Sequence, residues 1–151
     1  MRILFSPLGD TDPVRGCYDG AMLHIVRHYQ PERIVLFYMA EKERHDHRYT
    51  RAVQRLAPEC QIEEVFTEIR DAHLYESFSR ILPQEVLRIR ETYPGSTLLL
   101  NLSSGTPQMK TIMSFLSVDY PSCTAVQVSN PHVDRDKVAE HCEKEEYVQM
   151  L

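Results

Sequence analysis

The stretch TLLLNLSSGTPQMKTIMSFL, residues 97–116, reads as a strand, a short loop and a helix in direct succession. Leu98, Leu99 and Leu100 form an apolar run without alternation, which a strand covered on both faces requires. Met109, Ile112, Met113 and Leu116 then recur at helical spacing. Between them, Gly105 lets the backbone approach a ligand closely. Thr106 suits a helix N-cap and Pro107 the first helical position. A buried strand that turns at once into a helix is half of a βαβ unit.

Outward from that unit the pattern repeats. Residues 3–5 (ILF) read as a strand. Met22, Leu23, Ile25, Val26 and Tyr29 predict a helix, with Asp19 as its N-cap and Pro31 as its stop. Residues 33–38 (RIVLFY) form the next strand, and Tyr49, Ala52, Val53 and Leu56 predict the apolar face of a charged helix over 41–56. A weaker strand follows at 62–66. Residues 71–93 read as helix in two pieces. Leu74, Phe78 and Ile81 face the core in the first; Val86, Leu87, Ile89 and Tyr93 do so in the second, which Pro83 opens. Residues 123–128 (CTAVQV) give the fifth strand. The expected fold is α/β: a Rossmann-like parallel sheet of about five to six strands with helices on both faces.

A chain of 151 residues can bury a core without disulfides or a structural metal. Cys17, Cys60, Cys123 and Cys142 are scattered with no CxxC pair, and we read them as reduced thiols rather than metal ligands. No signal peptide and no apolar run of the ~20 residues a membrane helix needs is present, so a cytoplasmic protein is expected. The net charge is -5, of which residues 139–151 carry -3. That balance argues against a general nucleic-acid binder. The acidic end reads as the start of a linker, and the chain as a piece of a longer protein.

In open parallel sheets, ligands bind outside the carboxyl ends of the strands. Two loops there are unusual. The first, residues 6–16, is long and rich in small polar residues; it carries neither GxGxxG nor GxxxxGK[ST], so dinucleotides and ATP are poorly supported. The second, residues 101–110, places Ser103, Ser104 and Thr106 hydroxyls beside the amides of a helix start, where phosphate is the natural guest. Lys110 and Arg15 either reach that phosphate or sit in water. His24 with His28 has i,i+4 spacing but lies off the apolar face. His45-Asp46-His47 reads as a solvated helix start, and Arg135 with His141 sits in a polar tail. No nucleophile motif stands out.

Residues 3–38 (ILFSPLGDTDPVRGCYDGAMLHIVRHYQPERIVLFY) and 98–117 (LLLNLSSGTPQMKTIMSFLS) together resemble the N-terminal CARF domain (CRISPR-associated Rossmann fold) of the type III-A CRISPR accessory ribonucleases. The resemblance covers about residues 1–130. It implies a homodimer whose paired loops bind a cyclic oligoadenylate second messenger, with no cofactor, metal, DNA or membrane partner. It further implies that residues 1–138 are the ligand-sensing domain and 139–151 the start of a linker to a C-terminal HEPN domain. That domain, for which this chain has no room, cuts single-stranded RNA without metal. By position, Gly9, Asp10, Thr11, Asp12 and Arg15 match the family's first ligand loop. Asn101, Ser103, Ser104, Gly105, Thr106, Gln108 and Lys110 match the second. Two alternatives stay open. The domain cleaves the ring itself, with Thr106 and Asp12 as the candidate groups, or it is another Rossmann-like nucleotide enzyme.

Overall fold

The computed structural model describes residues 1–9, 12–15, 18–40, 47–71 and 73–128. Five strands form one parallel sheet: β1 (Arg2–Pro7), β4 (Arg33–Tyr38), β5 (Gln61–Phe66), β6 (Thr97–Asn101) and β7 (Cys123–Val126). A two-stranded ribbon, β2 (Val14–Arg15) and β3 (Tyr18–Asp19), follows β1. The helices are α1 (Ala21–Tyr29), α2 (Arg48–Leu56), α3 (Tyr75–Phe78), α4 (Ile81–Thr92) and α5 (Pro107–Asp119).

The sheet order is β5-β4-β1-β6-β7. The chain steps from β1 outward to β4 and β5, then returns past β1 to β6 and β7. That reversal lies between β1 and β6, where Leu4 faces Leu99 and Phe5 faces Leu100. Loops leaving two neighbouring strands toward opposite sides open a crevice there, which is where this architecture binds ligands.

Period-two alternation sorts the strands into two cores. Ile3, Phe5, Val35, Phe37, Leu98 and Leu100 face α4 and α5, through Val86, Ile89, Met109, Ile112 and Met113, with Phe78 of α3 among them. Leu4, Ile34, Leu36, Tyr38 and Leu99 face α1 and α2, through Met22, Leu23, Val26, Tyr49 and Val53. Burying each large side chain contributes roughly 1.5–3 kcal/mol. The central strands are therefore firmly seated, and the loops at their carboxyl ends start from fixed points.

Several expectations change. Asp19 does not cap α1; Gly20 does, and Asp19 ends β3 as a buried carboxylate gripped by Arg27 at 2.8 Å. The ribbon itself was not foreseen. α2 begins at Arg48, and residues 41–46 of the expected helix lie outside the described residues. α3 is one short turn; Leu74 before it is 49% exposed and Leu87 36%, so neither belongs to the core. Pro83 falls at the third position of α4, where its missing N–H still costs nothing because the first four amides have no helical partner. Among the described residues, no helix is long and apolar enough to cross a membrane, and no group of three or more His, Cys, Asp or Glu could hold a metal.

Candidate ligand site at the carboxyl edge

Both singled-out loops meet at the reversal point. The bridge between them is a chain of buried polar groups. Asn101, the last residue of β6, is fully buried; its amide nitrogen donates to Ser6 Oγ and Ser104 Oγ, each at 2.9 Å. Its carbonyl oxygen accepts from the amides of Ser103 at 2.8 Å and Ser104 at 3.2 Å. Its side-chain polar capacity is taken up by Ser6 of β1 and by the second loop, so none is left for an adenine edge.

Ser104 Oγ passes the network on to Asp12 Oδ2 at 2.7 Å. Asp12 also accepts from the Gly9 amide at 2.9 Å and, through Oδ1, from the Met22 amide at 3.0 Å. One buried carboxylate thus holds the first loop, the N-terminal turn of α1 and the second loop together. An ionised acceptor makes the strong form of such bonds, and it favours a helix N-terminus.

Two glycines lie where the loops meet, and one of them is constrained. A side chain on Gly9 would stand 3.4 Å from the Gly105 amide and 3.5 Å from Ser104 Cα. Gly105 has φ +94, and a Cβ there would meet Met109 Sδ at 3.1 Å and Pro7 Cγ at 3.3 Å. The sequence suggested that Gly105 makes room for a ligand. In the structure the side of Gly105 on which a Cβ would project faces the protein itself.

Thr106 occupies the N-cap of α5 in extended conformation (φ -89, ψ 162) and Pro107 its first turn, as the sequence predicts. The amides of Gln108 and Met109 lie in that turn, where backbone N–H groups have no intrahelical acceptor. Gln108 Oε1 is a buried acceptor with no hydrogen-bond partner among the described residues. Lys110 is half-buried, and no carboxylate among the described residues pairs with it. Ser103 turns outward from the network; its Oγ accepts from the Val128 amide at 2.7 Å, beside a Leu102 amide to Val126 carbonyl bond of 2.9 Å. The segment after β7 is thereby fastened to the loop. Asp10 and Thr11 lie outside the described residues, and Arg15 is placed by its backbone in β2.

The structure therefore brings Gly9, Asp12, Asn101, Ser103, Ser104, Gly105, Thr106, Gln108 and Lys110 to one edge. Ser6 and Met22 belong with them and were missed, because a serine inside a strand and a helix-start amide carry no motif. A cavity of about 770 Å³ opens at the opposite, amino edge, between Arg27, Glu32, Arg33, Glu59, Cys60 and Gln61. It lacks both the reversal of strand order and the helix-start amides found at the two loops. Burial pushes the Cys60 thiol up to about 11, with Arg33 opposing.

A parallel sheet reversing at β1 and β6, with two interlocked loops at that point, defines a Rossmann-like ligand-binding domain of the CARF type. Residues 59–151 match the family model described as the Cas_Csm6 CARF domain, and the chain belongs to that family. The first loop lies outside the matched span. Among curated proteins, the chain is 43% identical over 133 residues to the CRISPR system endoribonuclease Csm6 of Mycobacterium tuberculosis, covering 85% of this chain and 32% of that protein. It is 38% identical over 140 residues to the Enterococcus italicus Csm6, covering 87% and 33%. It thus spans about a third of the length of these relatives. A solved structure of Enterococcus italicus Csm6 bound to cyclic hexa-2'-fluoro-hexa-dAMP is similar over 100% of this chain and 39% of that one, with a TM-score of 0.83 and 36% identity.

Proposed function

We propose that this chain is a sensor that binds a cyclic oligoadenylate across the carboxyl edge of its sheet. One observation carries the reading: two interlocked loops stand at the strand-order reversal of a fold similar to a relative solved with a cyclic hexanucleotide bound. The helix-start amides of α5, the Thr106 N-cap and Lys110, which has no ion-pair partner among the described residues, suit phosphates. Gln108 Oε1 has no donor among the described residues, and the amino group of adenine is one. Gly9, Asp10, Thr11 and Arg15 complete the site from the first loop.

A ring with internal symmetry fits a two-fold pocket, so the site is completed by a second copy of the chain in a homodimer. Residues 1–138 form the sensing domain, and the acidic 139–151 begin the linker to a HEPN domain. That domain, switched on by the ring, cuts single-stranded RNA in antiviral defence in the cytoplasm. Ring cleavage at the same site is the second reading. Thr106 at the helix N-cap supports it, since a hydroxyl beside amides can help hold a phosphate. Asp12 supports it less, because its carboxylate already accepts three structural bonds.

The test is calorimetric titration of the 151-residue chain with cyclic tetra- and hexa-adenylate, followed by chromatography of the ligand. Tight binding near one ring per two chains is expected. Linear products would add cleavage, and no heat with either ring would overturn the reading.

A further inference from the structure

The carboxyl edge holds a second organised group that the two loops do not use. Glu64, on β5, lies with Oε2 3.1 Å from His47 Nδ1. Burial opposes the ionisation of Glu64. Hydrogen bonds from His47, Tyr38 and Thr50 outweigh it and hold the carboxyl below its ordinary range. Tyr38 is shifted the other way: burial, above all, keeps its phenol protonated to high pH. The anionic Glu64 therefore accepts from Nδ1–H of His47, which leaves Nε2 without this partner on a side chain that is 65% exposed.

His47 is also held in an unusual backbone state. It is the N-cap of α2 with φ 57 and ψ 27, a left-handed conformation that residues with a Cβ seldom occupy unless their surroundings impose it. Its position is informative too. α1 and α2 pack side by side on one face of the sheet. Their N-termini share the carboxyl edge. His47 thus stands on the same edge as the Met22 amide that Asp12 caps, on the neighbouring helix.

We infer that His47, oriented by Glu64, is a further contact of the ligand site, donating from Nε2 to a phosphodiester oxygen of the bound ring. The inference rests on the reading of the preceding section. An imidazole that carries both its protons donates from both nitrogens at once, to the carboxylate behind it and to an anionic oxygen in front.

The experiment is titration of the wild type, His47→Asn, Glu64→Gln and the double variant with whichever of cyclic tetra- and hexa-adenylate the wild type binds. Asparagine tolerates the left-handed backbone, so His47→Asn removes the imidazole and keeps the turn. It should raise Kd by about tenfold with an unchanged melting temperature. Glu64→Gln should raise Kd similarly, and the double variant no further, because the two act as one unit. Wild-type affinity in His47→Asn overturns the inference and leaves the sensor reading standing. Failure of the wild type to bind either ring overturns both.

Discussion

Asp12 Oδ2 and the Ser104 hydroxyl meet at 2.7 Å, across 92 residues of sequence and out of reach of water. This bond makes the two loops one object. Replacing Asp12 by Ala strands the amides of Gly9 and Met22 and the Ser104 hydroxyl without their acceptor. The expected cost is about 2–4 kcal/mol, seen as a lower urea midpoint. Ser104→Ala should cost about 1–2 kcal/mol. The double variant should lose less than the sum. Strict additivity would mean that the loops fold independently.

Gly105 combines a φ of +94 with close neighbours on the side where a Cβ would project. Gly105→Ala should therefore destabilise the chain by about 1–3 kcal/mol, and Gly105→Val by more. Thermal melts without ligand check this. An unchanged melting temperature would return the glycine to the role first expected of it, as room for a guest.

Lys110 should behave in the opposite way. It has no ion-pair partner to lose among the described residues, so Lys110→Ala should leave the melting temperature alone. If its ammonium meets a phosphate, ring affinity falls by about 1–2 kcal/mol. Titration of the variant reads this directly, and equal affinity would place the side chain in solvent.

Glu64 gives a pH dependence. A carboxyl held below its unfolded value contributes stability that is complete above about pH 4.3 and is lost as the pH falls through the folded value. The stability gap between wild type and Glu64→Gln should thus be widest near neutrality and close below about pH 4. With His47 open to solvent, the gap should stay under about 1 kcal/mol. Urea midpoints across pH 3–7 measure it.

The central unit was legible because its signals are local. Three consecutive leucines, a glycine, a threonine and a proline specify a buried strand, a tight loop and a helix start, and the structure has all three. Asp19 was misplaced for the opposite reason. Its partner Arg27 lies eight residues on, and nothing in the spacing separates a cap from a buried ion pair. The ribbon did leave a trace, since Gly16-Cys17 between Val14-Arg15 and Tyr18-Asp19 is the spacing of a two-residue hairpin. The roles of Asn101 and Asp12 were not legible at all. Whether a polar side chain faces a guest or its own backbone depends on contacts across the sheet, and the sequence lists no such contacts.

Ser103 joins the loop to the chain beyond β7, through the Val128 amide. With the Leu102 bond to Val126 beside it, the join is a double fastening. Val128 is thereby tied to the same piece of backbone that leads into the helix-start amides, and a displacement of that backbone would draw Val128 with it.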